Sequence, residues 1–380
     1  MSRSGELVEV ISPIRDQAIE TAATWLLESG IQVPGGPDAG AFRSWDDPQR
    51  PGFPYSEVTG YAIQTLCLLD RERPGGPYLA RARAAVNWLL TQAHAGRAFR
   101  CRRLGAEFEP VLCVFDNAMI VRGLCAFAER TGDPDVAAVA CDTASWILDE
   151  MLDPVSHRLW PRWSLLARSV VPEGERWSAR AGPYQAKVAL AFLAVNRLRP
   201  DQRFAAAARL LCEAAIADQR PDGRFVSDPD GTTYLHAHLY AVEGIAGVAE
   251  ALALEGFRTA ALRGLRWAVR QVAPARGLPA WVGGSRAPEM PDEEHSDSTA
   301  QLLRLLSWLG SEPALAERLA VRLSEFQCFE ADPRRRGGFR YARRRDAFDR
   351  NLTTHGSLFA IQALKWQAAG ARHAGWQDLV

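Results

Sequence analysis

No apolar run in the 380-residue sequence approaches the length a membrane helix needs, so no spanning segment is expected. The N-terminal stretch MSRSGELVEVISPIRDQ lacks the apolar core of a secretory signal. Neither sign of charge dominates. Lys plus Arg and Asp plus Glu both number 45, and no like-charge block is longer than three residues such as Arg343-Arg344-Arg345. This excludes the basic field by which proteins hold nucleic acid without sequence preference. There is no CxxC pair. Cys67, Cys101, Cys113, Cys125, Cys141, Cys212 and Cys328 form an odd, scattered set that fits reduced thiols, mostly in the core. These absences point to a soluble cytoplasmic protein, with no nucleic-acid or membrane partner and no cofactor expected.

What is present is repetition. Six times, with a period of about sixty residues, an apolar helix is followed by a Gly- and aromatic-rich loop and then by a second helix opening on a polar residue. The openings lie near Glu57, Asp116, Tyr184, His238, Asp297 and His355. A unit that cannot bury its apolar face alone must stack on its neighbours. Six hairpins turning the same way can close into a ring, so one domain over 1–380 is expected rather than the two or three that length suggests. Apolar spacing places outer helices at 17–28, 79–92, 136–151, 204–218, 259–272 and 314–327. Inner helices fall at 57–69, 115–130, 184–198, 238–254, 298–309 and 354–367, nearly apolar after their first turn.

The connections are asymmetric. Inner-to-outer links are short Pro/Gly turns, such as 73–77 and 310–313. Outer-to-inner links are long and carry Gly40-Ala41-Phe42, Asp222-Gly223-Arg224-Phe225, Gly277-Leu278-Pro279-Ala280-Trp281 and Gly337-Gly338-Phe339-Arg340-Tyr341. Long loops in a compact domain are usually functional. They lie on the face where the inner helices start, and helix N-termini favour anions. Loop length and helix polarity therefore select the same face for a site.

This arrangement resembles the (α/α)6 toroid superfamily, over about residues 12–370. Relatives in this resemblance are the N-acylglucosamine 2-epimerases, the unsaturated glucuronyl hydrolases and other six-hairpin glycosidases. Terpenoid cyclases and protein prenyltransferases use a similar ring. The resemblance implies an all-α toroid with short β-hairpins in its long loops, and a carbohydrate-active hydrolase, lyase or epimerase. It carries over no catalytic residue. A DxDD acid motif is absent, since Asp46-Asp47 is a loop pair before Pro48, and so is an Asp…Cys…His zinc set.

Polar stripes mark the inner helices. Glu57, Tyr61 and Gln64 share one helical face, as do His236, Tyr240 and Glu243, then Asp297, Gln301 and Arg304, then His355 and Gln362 with Phe359 between them. Such a stripe is costly unless it meets water, a ligand or a hydrogen-bond network between helices. Glu57 and Asp116 are the acid candidates, with helix capping as the competing role for Asp116. For a hydrolase, one acid would protonate the glycosidic oxygen while the other activates water. For an epimerase or isomerase, His238, His295 or His355 would move protons beside a carbonyl. The substrate-facing set is Trp45, Tyr61, Tyr184, Lys187, His236, Tyr240, Glu243, Asp297, Arg304, Arg340 and Tyr341. No metal is expected, because His236 and His238, two apart on a helix, cannot face one ion. Loop aromatics with neighbouring Arg residues suit a sugar or uronate, small or oligomeric. The alternatives are a terpenoid-cyclase-like or prenyl-transfer enzyme, and a non-catalytic glycan- or partner-binding toroid.

Overall fold

The computed structural model describes residues 3–47, 49–50, 52–94, 97–101, 110–273, 276–290, 292–370 and 374–380, the side chains of 3–14 excepted. In chain order the helices are α1 (Arg3–Glu28), α2 (Ser56–Glu72), α3 (Tyr78–Gln92), α4 (Val114–Thr131), α5 (Pro134–Trp146), α6 (Ala189–Leu198) and α7 (Gln202–Ala217). They continue as α8 (Leu235–Leu252), α9 (Glu255–Gln271), the one-turn α10 (Arg286–Glu289), α11 (Ser296–Leu309), α12 (Pro313–Ser324) and α13 (Thr354–Ala369). The inner ring is α2, α4, α6, α8, α11 and α13. The outer ring is α1, α3, α5, α7, α9 and α12. Each inner helix touches the next, and α13 packs on α2, so the ring closes as an (α/α)6 toroid. The third inner helix departs from the expected continuous 184–198. Its first turns, Pro183–Val188, are 3-10, where Pro183 removes a backbone donor and fixes φ.

The strands are short and antiparallel; among the described residues half of the pairings fall within one long loop and half join the long loop of one hairpin to that of another. Trp45–Asp46 and Phe339–Arg340 both pair with Leu352–Thr353, so the first and last units are tied through their loops as well as their helices. Glu293–His295 pairs with Ala342–Arg344, and Thr233–Tyr234 with Trp281–Val282. This lattice makes a rigid rim over the inner-helix N-termini.

One local device recurs and explains the Gly-aromatic turns. Gly40, Gly223 and Gly337 have φ of +95°, +99° and +100°, and a Cβ at each would come within 2.4 Å of a carbonyl oxygen of an outer helix: Ala84, Arg263 and Thr21 respectively. Only glycine tolerates both the backbone angle and the approach. Two residues on, Phe42, Phe225 and Phe339 are buried in the core. Their backbone N–H groups donate to a side chain in the first turns of the following inner helix: Thr59 Oγ1 at 3.0 Å, His238 Nδ1 at 3.2 Å and Ser357 Oγ at 2.9 Å. Phe99 does the same to Asn117 Oδ1 at 2.7 Å. Four of the six long loops are thus pinned to their helices by an anchor of equivalent position.

Inner helices approach backbone to backbone where glycine allows. A Cβ on Gly123 of α4 would lie 2.4 Å from the Gly60 carbonyl oxygen of α2. Gly123→Ala is expected to cost about 1–3 kcal/mol through overpacking, read as a lowered urea midpoint with unchanged slope. An unchanged midpoint would show that the two helices can separate freely.

The lower end of the ring, at the short turns, is closed by residues 374–380. Leu379 and Val380 are buried. The Leu379 carbonyl accepts from Gln64 Nε2 at 2.7 Å and the Trp376 carbonyl from Arg122 Nη2 at 3.0 Å. The Val380 carbonyl accepts from Lys187 Nζ at 2.8 Å, and Val380 N donates to Gln362 Oε1 at 3.0 Å. No described helix is long and apolar enough to cross a membrane.

Candidate active site

A cavity of about 550 Å³ opens on the long-loop face, within the range of small-molecule sites. Its wall is aromatic: Trp45, Phe53, Tyr55, Phe115, Trp177, Tyr184, Tyr234, Tyr240 and Tyr341 line it. Its ionisable groups are Glu57, Cys113, Asp116, His236, Asp297 and His355.

The loop anchors explain why these side chains face inward. Two residues before Thr59, Asn117, His238 and Ser357 stand Glu57, Phe115, His236 and His355, and all four line the cavity. The anchor turns toward the loop behind the helix. The residue two earlier lies some 200° round the helix and points to the axis of the ring. This corrects the placement of His238, expected as a proton carrier. It is buried between Phe225 N and the Gly264 carbonyl (3.0 Å from Nε2) and does not line the cavity. Burial lowers its pKa to about 4.

Asp297 is the electrostatic centre. Its Oδ2 lies 3.0 Å from His355 Nε2 and 3.5 Å from His236 Nδ1. Burial alone would raise its pKa, but His236 and His355 outweigh it and hold the carboxyl well below the usual range. An ionised carboxylate only accepts, so His355 donates from Nε2, and its Nδ1 then accepts from the Thr353 hydroxyl at 2.9 Å. His355 is thereby fixed at both nitrogens. His236 differs. Its Nδ1 has no formed hydrogen bond and faces Asp297, and its Nε2 has no protein partner among the described residues. Desolvation, partly offset by Asp297, lowers the His236 pKa to about 4. The side chain is therefore a neutral imidazole at pH 7 with a free ring nitrogen at the cavity wall.

The two acid candidates both line the cavity and lie within each other's field. Burial raises the Glu57 carboxyl, against hydrogen bonding from Tyr55 and the field of His355. Asp116 is pushed well up by burial and by neighbouring Cys101 and Glu57. The Tyr55 hydroxyl beside them opposes both shifts.

The remaining expected residues separate into layers. Trp45, Tyr184, Tyr240 and Tyr341 line the cavity. His295 stands behind the wall, bound to Tyr234 Oη at 3.2 Å and Glu293 Oε1 at 3.0 Å. Tyr61 lies under the floor, its hydroxyl 2.9 Å from that of Tyr240. Lys187, Glu243 and Arg304 lie deeper still, fully buried and outside the cavity lining. Glu243 accepts from Lys187 Nζ at 2.8 Å and Arg304 Nε at 2.6 Å, and Arg304 Nη1 donates to Gln362 at 3.2 Å. The lower halves of the stripes therefore bind one another and residues 374–380, not a ligand. Arg340 is directed away, to Glu330 and the Gln327 carbonyl. Cys113, Phe115 and Thr353 line the cavity without having been marked by any sequence pattern.

No protein-family model matches the sequence, and no curated protein matches it. Solved structures do share its fold. A cellobiose 2-epimerase from Spirochaeta thermophila superposes with a TM-score of 0.74 at 15% identity, covering 96% of this chain and 98% of that one. A D-mannose isomerase gives 0.71 at 10% identity, covering 93% and 97%. An unsaturated glucuronyl hydrolase specific for heparin gives 0.71 at 11%, covering 94% and 97%. At these identities the likeness is one of fold.

Proposed function

We propose that the protein is a sugar-active epimerase or isomerase that moves a proton at the carbon next to the carbonyl of an open-chain reducing sugar. The observation that carries this reading is the placement of His236, which lines the cavity with its Nδ1 toward the Asp297 carboxylate, and burial favours its neutral form. In this reading Nε2 takes the proton from the carbon. Asp297 orients the ring and stabilises the imidazolium as it forms, and the resulting enediolate is reprotonated at the same or the adjacent carbon. His355, bonded to the same Asp297 oxygen and to the Thr353 hydroxyl, is the positioning partner that holds the carboxylate. The aromatic wall stacks on the sugar's C–H faces. The solved epimerase and isomerase that share the fold make this reaction class a natural one for the ring.

The test is proton exchange in D2O with D-mannose, D-glucose and cellobiose, followed by NMR. Loss of the C2–H signal with formation of an epimer or ketose is expected. The rate kcat/KM should stay level as pH falls and drop only near pH 4, where His236 is protonated. A limb near 6.5, the ordinary histidine value, would remove His236 from the role. No exchange with any reducing sugar, together with Glu57-dependent cleavage of an aryl glycoside or unsaturated uronide, would replace this reading with a hydrolytic one.

A further inference from the structure

One side-chain cluster beside the cavity is not used by this reaction. Cys101, Cys113 and Asp116 each bring one ligand atom within 4.8 Å of the others. We propose that these three residues form a binding site for a thiophilic divalent cation of the zinc class, with its fourth position open to the cavity.

The donor set fits the ion. Two thiolates and a carboxylate supply three ligands of the kinds zinc takes, and catalytic zinc sites keep a fourth position for water or substrate. Cys113 and Asp116 both line the cavity, so that position faces it. The Asp116 side chain supplies an independent sign of a missing partner. It is buried, and its Oδ2 has no hydrogen-bond partner. A buried carboxylate oxygen without a donor is costly, and a cation bound there removes the cost.

The three ligands come from two places in the chain. The Cys101 carbonyl accepts from Ser56 N at 3.0 Å, and the Ser56 hydroxyl donates to the Arg100 carbonyl at 2.6 Å, which fixes this segment on the start of α2. Cys113 ends the strand Val111–Cys113, pairs with Arg162, and is the N-cap residue of α4. Asp116 lies in the first turn of α4. The N-termini of α2 and α4 both approach the cluster, and their partial positive charge offsets the surplus negative charge of two thiolates and a carboxylate around a divalent ion. The sequence gives no sign of this site, because its cysteines are not in a CxxC and only the return of the chain at Cys113 brings them together.

The experiment strips the full-length protein with a chelator under reducing conditions, then adds Zn²⁺ or Co²⁺ alone. Uptake of one equivalent of Zn²⁺ by elemental analysis is expected, with two of the seven thiols protected from a thiol reagent. The Co²⁺ form should show a near-ultraviolet thiolate-to-cobalt charge-transfer band. Cys101→Ser and Cys113→Ser should each lose the band, and Asp116→Asn should weaken Zn²⁺ binding about tenfold or more. Absence of the band in the unmodified chain overturns the proposal, even where a variant fails to fold. So does equal uptake by the Cys101→Ser/Cys113→Ser double variant, which would place the ion on other cysteines, or a Cys101–Cys113 disulfide that persists in the reduced preparation.

Discussion

His236→Ala is expected to lower kcat/KM for sugar proton exchange by a factor of about 100 to 10,000 with little change in unfolding midpoint. His238→Ala is expected to do the reverse. The two imidazoles sit on the same turn of α8 and both have their pKa lowered by burial to about 4, so burial and basicity do not tell them apart. Their hydrogen bonds do. His238 accepts from Phe225 N and bonds the Gly264 carbonyl through Nε2. Its removal leaves both backbone groups unpaired in the core and opens a cavity beside Trp267, a loss of about 3 kcal/mol or more. His236 has a free Nε2 and only Asp297 near Nδ1, so its removal strands no backbone group. Because Asn117 plays the His238 role in the second hairpin, His238→Asn should recover part of the stability lost in His238→Ala. Full activity in His236→Ala, or equal stability losses in both alanine variants, would break the distinction on which the site assignment rests.

The ring was legible in the sequence because its signals are local and repeated. Each hairpin carries its own apolar helix pair and its own long loop, three of the loops carry the same Gly-x-Phe, and six copies of a weak pattern make a strong one. The glycine of that motif is dictated by a positive φ against an outer-helix carbonyl, a constraint the sequence displays directly. The expected hairpins are present inside the long loops, as where Ala342–Arg344 pairs with Ala347–Phe348. What the sequence did not display are the pairings between loops of different units, such as Trp45–Asp46 with Leu352–Thr353, whose partners are not neighbours in sequence.

Register was harder to read. Marking each inner helix by its first prominent polar residue selects Glu57 and His355 correctly, but in the fourth unit it selects His238, which is the loop anchor, rather than His236. Both are histidines two positions apart. Only knowing that Thr59, Asn117 and Ser357 bind the phenylalanine N–H of their loops separates anchor from wall. The depth of the stripes was equally hidden. Glu57, His236, Asp297 and His355 are two turns above Gln64, Glu243, Arg304 and Gln362 on the same faces. What the lower group meets is residues 374–380, brought under the ring from beyond α13. A helical face specifies direction, not what waits there.

That lower layer supports the second large effect. Glu243→Gln is expected to destabilise the fold by about 3–5 kcal/mol, the usual cost of removing one partner from a buried ion network. The glutamate accepts from Lys187 and Arg304, and all three side chains are at most 1% exposed. Burial alone would raise the Glu243 pKa, but Arg304 and Lys187 outweigh it and keep the group ionised. Lys187 is pulled below the usual lysine range by the same desolvation, against the compensating charge of Glu243. The amide would leave the buried Arg304 guanidinium without its counter-charge and Lys187 without the acid that favours its charged form. Lys187 also donates to the Val380 carbonyl and Arg304 to Gln362, which holds Val380 N, so the loss should loosen residues 374–380. The measurement is urea unfolding combined with amide hydrogen exchange. A midpoint drop with faster exchange in 374–380, and with KM unchanged in the folded fraction, fits a structural layer beneath the cavity. An unchanged midpoint with a raised KM would instead return Glu243 to the sugar-binding surface.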